Sequence, residues 1–107
     1  QIVINLVMNS LMHAFEPNQQ GILTIVAEDK GTKVLMRYSD NGKGIPQDII
    51  DKIFDPFFTT RRGSGGSGLG LNIVHNLTTQ MLKGSVKCSS DLGKGTSFFI
   101  EFPKQIQ

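Results

Sequence analysis

Three polar residues interrupt an apolar segment at the head of this chain, and few folds accommodate such a pattern. Residues 1–15 read QIVINLVMNSLMHAF, with Asn5, Asn9 and His13 recurring every fourth position. Residues four apart stack on one helix face. Apart from Gln1 and Ser10 the rest is apolar, and a helix apolar nearly all round is expected to be buried. A buried amide or imidazole without a partner costs about 1–3 kcal/mol. Two readings follow: ordinary core polar residues bonded to nearby backbone, or a line that meets a polar ligand, with or without a metal.

Two glycine-bearing stretches offer what such a ligand needs. DNGKGI at Asp40–Ile45 ends an apolar alternating run, VLMRYS, and joins one carboxylate to two glycines. Glycine permits close backbone approach to a flat or charged group, although Asp-Asn-Gly is equally plain turn chemistry. GSGGSGLGL at Gly63–Leu71 runs into Ile73, Val74, Leu77 and Met81, which are spaced as on a helix. A glycine loop opening onto a helix N-terminus favours an anion; a flexible linker is the alternative. No G-x-x-x-x-G-K-[ST] is present, which excludes a P-loop. The preceding FDPFFTTRR is not strand-like, which argues against a dinucleotide fold.

At 107 residues the chain forms one domain, spanning 1–107, with a single core. A net charge of +2 with scattered basic residues argues against nucleic-acid binding. No apolar run reaches the length of a membrane span, and no signal peptide is visible. The lone Cys88 reads as a structural strand residue in a reducing compartment. Asn76-Leu77-Thr78 matches a glycosylation sequon, but on a predicted helix it carries no weight.

The predicted layout is helix 1–15, broken before Pro17; strands 22–29 and 33–39 around the turn Asp29-Lys30-Gly31-Thr32; and a short helix over 47–53 opened by Pro46. A loop over 55–67 and a helix over about 68–82 ending at Gly84 follow. A final hairpin pairs 85–90 with 96–102, where Phe98, Ile100 and Phe102 share a face. Strands beside helices imply an α/β (α+β) two-layer sandwich.

The order of boxes, from asparagine helix to DNGKGI, FDPFFTT, GSGGSGLGL and GKGT at Gly93–Thr96, resembles the catalytic ATP-binding domain of bacterial sensor histidine kinases. These belong to the superfamily that includes gyrase, mismatch-repair proteins and heat-shock chaperone ATPases. The resemblance runs from Gln1 to about Phe102, and FDPFFTT is typical of its kinases. It implies the Bergerat fold, a mixed, mostly antiparallel sheet covered on one face by three helices, with ATP between the helices and the loop. The resemblance also implies that the chain is part of a longer protein and lacks a strand before the first helix.

The resemblance assigns roles as well. Asp40 would accept a hydrogen bond from the adenine amine, while Gly42 and Gly44 admit the base and Ile45 packs on its face. Thr96 would reach the base through water. Asn9 would bind Mg²⁺, an ion that prefers a few oxygen ligands plus phosphates. Asn5 and His13 would lie near the metal, sugar or phosphates, and Thr60 would join the nucleotide contacts. Arg61 and Arg62 would meet the γ-phosphate. Backbone N–H groups near Gly66, Gly68, Leu69 and Gly70 would cradle the phosphates. Phe54, Phe57 and Phe58 read as core anchors for a lid.

Two departures bear on these roles. Met12 stands where many sensor kinases carry lysine, so charge must come from the arginines. The short stretch between Phe58 and Gly66 implies a small lid and an open pocket. Asn5 occupies the position where the ATPase branches carry a water-activating glutamate. An amide is no general base, so hydrolysis should be poor while transfer to another nucleophile remains available.

Neither His13 nor His75 resembles the family's phosphoacceptor. The implied partners are therefore a helical dimerisation and phosphoacceptor domain of the same protein and a response regulator, in a full-length homodimer that is either cytoplasmic or the cytoplasmic part of a membrane-bound sensor. Two alternatives stand beside this: a serine-directed kinase of the anti-sigma-factor type, and a non-catalytic nucleotide-binding module.

Overall fold

The computed structural model describes residues 1–16, 18–56, 58 and 70–104. Helix α1 (Ile2–Asn9) continues without a break into a wider π-helical turn, Ser10–Ala14. Phe15 then leaves in an extended conformation, φ −126° and ψ 146°. A tight hairpin follows. β1 (Leu23–Asp29) pairs with β2 (Lys33–Asp40), from Leu23 opposite Asp40 to Asp29 opposite Val34. The turn is closed by the Asp29 carboxylate, which accepts from Gly31 N–H at 2.8 Å.

The short helix expected over 47–53 is reduced to one 3₁₀ turn, Ile50–Lys52. Its i→i+3 bonding, Ile49 N–H to Pro46 O and Lys52 N–H to Ile49 O, puts residues three apart on one side. Ile50 and Ile53 accordingly both pack on the core.

Helix α2 (Gly70–Asn76) also passes into a π-helical turn, Leu77–Met81. The left-handed residue at its end is Lys83, φ 57°, rather than the expected Gly84. Gly84 is needed for space instead, because a Cβ there would collide with the Glu101 carbonyl. β3 (Ser85–Asp91) and β4 (Gly95–Pro103) follow.

The four strands form one sheet in the order β1-β2-β4-β3. All three pairings are antiparallel, so the sheet is antiparallel throughout the described strands rather than mixed. Its buried side chains lie on one face, where Tyr38 pairs with Phe98 and Met36 with Ile100. Leu6 of α1 and Leu71 and Val74 of α2 close over them with Ile53. This is the expected two-layer sandwich.

A further expectation fails. The first helix is not buried all round, since Ile4, Met8 and Leu11 are 62%, 50% and 57% exposed. A helix lying on a sheet buries one stripe. Here that stripe centres on Leu6, Ser10 and Ala14, leaving the opposite side uncovered.

Candidate functional site

A cavity of about 300 Å³ opens where α1, the sheet and the loop after β2 converge. Asn9 and His13 border it from the first helix, and Asp40 and Thr96 from the ends of β2 and β4. Gly44, Ile45 and Ile49 come from the loop, with Ile53, Phe58, Leu71 and Leu92 adding an apolar wall. Most of the surface is therefore apolar with a few converging polar groups, the usual composition of a small-molecule site.

Asp40 is 8% exposed and both its oxygens are held. Oδ1 accepts from Gly42 N–H at 3.0 Å, and Oδ2 accepts from the Ser10 hydroxyl at 2.9 Å. The Tyr38 hydroxyl lies 2.9 Å from the same Ser10 oxygen. Burial pushes the Tyr38 phenol above its usual range; the Ser10 hydrogen bond opposes this and the Asp40 charge adds to it. Thr96 is tied to Ser90 at 2.8 Å, and Ser90 in turn accepts from Ile45 N–H at 2.7 Å. The Gln47 side chain donates to the Ser90 carbonyl, pinning the loop to β3.

The two glycines of DNGKG do different work. Gly44 lines the cavity with φ +82°, a conformation that a side chain resists. Gly42 faces α1 instead: a Cβ there would come within 2.5 Å of the Ala14 Cβ. Its expected role at the ligand is replaced by close packing of loop on helix, reinforced by Lys43 N–H donating to Ala14 O at 2.9 Å. Lys43 itself borders the cavity and is a residue the motif reading passed over.

The polar line of α1 divides. Asn9 and His13 reach the cavity. Asn5 does not border it; its amide donates to Gln1 O at 2.8 Å. A Cβ at Gly70 would sit 3.5 Å from Asn5 Oδ1, which puts Asn5 beside the first residue of α2. Thr60, Arg61, Arg62, Gly66, Gly68 and Leu69, together with Phe57, lie outside the described residues. Phe54 is a core anchor, its ring 6.1 Å from Phe98 and 5.7 Å from His75. Phe58 both packs on the core and borders the cavity.

Among the described residues no group of three His, Cys, Asp or Glu could hold a metal ion. The single amide oxygen of Asn9 suits a hard cation that takes most of its ligands from phosphates and water, as Mg²⁺ does.

Sequence reasoning missed Ser10, Tyr38 and Ser90, all buried behind the cavity wall. The period of two along β2 places Tyr38 on the face of Asp40, and Ser10 is one of the few polar residues of its segment. Those were the available signals.

Comparison with known proteins agrees with this fold. Sensor histidine kinase ZraS of Escherichia coli (strain K12) is 37% identical over 106 residues, covering 99% of this chain. The chain spans only 22% of that relative's length. The catalytic domain of histidine kinase ThkA superposes with a TM-score of 0.78 at 34% identity, covering 100% of this chain and 66% of that one. ThkA in complex with response regulator protein TrrA gives 0.75 at 32% identity, covering 98% and 28%. With a family model matching residues 1–106, the chain belongs to the histidine kinase-, DNA gyrase B-, and HSP90-like ATPase family.

Proposed function

We propose that this chain is the catalytic domain of a sensor histidine kinase. It would bind Mg-ATP in the cavity and present the γ-phosphoryl group to a histidine on a helical dimerisation domain. The observation that carries the reading is the meeting of Asp40 and Thr96 with Asn9 and His13 around one largely apolar cavity. The apolar wall takes the base, Asp40 accepts from its amine, and Asn9 and His13 face the sugar and phosphate side. Magnesium, when bound, neutralises charge on the phosphates, with Asn9 as its protein ligand. Thr60, Arg61, Arg62 and the glycine loop at Gly66, Gly68, Leu69 and Gly70 complete the phosphate contacts in this reading.

Asn5 argues for transfer over hydrolysis. It offers an amide where an ATPase needs a base for water. Phosphoryl transfer depends mainly on positioning and charge stabilisation, so a docked nucleophile still reacts. The label then passes to a response regulator, the partner class found with ThkA. The domain acts within a longer cytoplasmic homodimer.

Radiolabelled ATP tests this, with and without the parent protein's helical histidine domain. The proposal expects acid-labile, base-stable phosphoprotein only when that domain is added. Rapid release of free phosphate by the chain alone would indicate an ATPase, and acid-stable label on a partner a serine kinase. ATP binding with no transfer to the added domain would indicate a non-catalytic nucleotide-binding module.

A further inference from the structure

Successive side chains of a strand point to opposite faces of the sheet. Met36, Tyr38, Phe98 and Ile100 pack on the core, so Leu35, Arg37 and Phe99 lie on the other face. Lys87 joins them, because Val86 and Cys88 on either side of it pack on the core. Both described helices sit on the core side, and no described element covers this outer face. The solvated face of an antiparallel sheet is normally polar. Here Val26, Arg37, Phe99 and Lys87 are successive cross-strand partners on β1, β2, β4 and β3. They make one row across the sheet: a valine 43% exposed, then an aromatic ring with a cation on either side. The adjoining row holds only hydroxyls, Thr24, Ser39, Ser97 and Ser89.

Charge pairing sets the first row apart. Elsewhere on the face Lys33 meets Glu101 at 3.4 Å and Lys30 meets Glu28 at 3.1 Å. Asp91, four residues along β3 from Lys87, is about 13 Å from it along the strand. Arg37 and Lys87 are both exposed and form no ion pair among the described residues. Their backbone positions are two strand spacings apart, about 10 Å, with partly buried Phe99 between them.

We propose that this outer face docks an acidic polypeptide segment, whose carboxylates meet Arg37 and Lys87 while an apolar side chain between them lies on Phe99. Arginine and aromatic residues are the side chains that protein interfaces favour. The hydroxyl row supplies donors for the segment's backbone carbonyls. A nucleic-acid strand, charged at every phosphate, finds only two cations in the row and the carboxylates of Glu28 and Glu101 in the row beyond it. Asp40 and Thr96 point to the opposite face, so the segment and a nucleotide bind together, and the proposal does not depend on the nucleotide-site reading.

The test titrates the isotope-labelled chain, followed by amide NMR, with the synthetic peptide Ser-Glu-Ser-Leu-Ser-Glu-Ser, which when extended puts both glutamates and the leucine on one side. Saturable shifts should centre on Arg37, Phe99 and Lys87, persist with Mg-ATP present, and shrink as salt is raised. Replacing each peptide glutamate by glutamine, or introducing Arg37→Gln or Lys87→Gln, should raise Kd about two- to fivefold per charge removed. Phe99→Thr, a change that strands accept, should abolish the preference for leucine over serine at the centre of the peptide. Melting curves establish that each variant is folded, and the two exposed glutamine variants keep the test readable if Phe99→Thr does not fold. No saturable binding, equal binding of the glutamine peptide, or shifts centred elsewhere overturns the proposal. Competition by Mg-ATP would put the peptide in the cavity and overturn it as well. Tighter binding of oligothymidine at the same residues would give the face to nucleic acid instead. Self-association that Phe99→Thr abolishes would give it to a second copy of the chain.

Discussion

Asp40→Asn keeps the shape of the residue at the centre of the site and reverses half of its hydrogen bonding. Gly42 N–H, 3.0 Å from Oδ1, has only a proton to offer, so the amide oxygen of the variant must stay on that side. The amide nitrogen then occupies the Oδ2 position, 2.9 Å from Ser10 Oγ. Ser10 must accept there, so its own proton, which had gone to Oδ2, loses that acceptor at 1% exposure. One such buried orphan costs about 1–3 kcal/mol. In a domain of this size each kcal/mol moves Tm by roughly 4–8 °C, so the variant should melt about 5–20 °C lower and still fold.

Binding suffers more than stability. In the proposed binding mode a hydrogen bond to a charged acceptor, worth about 1.5–3 kcal/mol, is lost, and an amide donor faces the ligand amine. The Kd for Mg-ATP should rise at least tenfold to roughly a hundredfold. Scanning calorimetry without nucleotide and titration calorimetry with Mg-ATP measure the two effects separately. A folded variant with wild-type ATP affinity refutes Asp40 as the amine acceptor. An unchanged Tm refutes the assignment of protons behind it.

Further outcomes follow from neighbouring residues. With Asn9 as the proposed Mg²⁺ ligand, Asn9→Ala should weaken nucleotide binding in Mg²⁺ but scarcely in chelator; an equal loss in both titrations would make Asn9 structural. Gly44→Ala forces a side chain into φ +82° and against the Asp91 carbonyl, so urea unfolding should show a loss of about 1–3 kcal/mol or more, and an unshifted midpoint would contradict this. The Cys88 thiol is pushed up from 9.0 to about 12 by burial first and the Asp40 charge second. The thiolate is the reactive form, so alkylation at pH 8 should be slow in the native chain and fast in urea. Since the folded chain holds this proton more tightly than the unfolded one, the stabilisation is whole below pH 9 and lost as pH rises from about 9 towards 12. Cys88→Ala should flatten that slope, and a slope that persists would place its origin elsewhere.

Local features of the chain were legible and register-dependent ones were not. All four strands lie within a residue or so of their expected bounds, because alternation and turn residues such as Asp29 and Gly31 are short-range signals. Asp40, Gly44, Ile45, Asn9 and Thr96, which line the cavity, fall in boxes that can be read directly from the sequence. Ser10, Tyr38 and Asp40 form one network, yet Ser10 stands 28 and 30 positions from its two partners. Only the seating of α1 on the sheet brings them together. Gly42 looked like a ligand glycine because its motif does not reveal that Ala14 fills the space beside it. Likewise Ile4, Met8 and Leu11 read as core from apolarity alone, which does not say which side of a helix a sheet will cover.

The structure of this chain with Mg²⁺ and a non-hydrolysable ATP analogue tests the central claim most directly. The claim requires the adenine amine within hydrogen-bonding distance of Asp40, the base against Ile45 and the apolar wall, and the metal at the Asn9 side-chain oxygen. An analogue bound away from Asp40 and Thr96, or with its phosphates where the base is assigned, would contradict it.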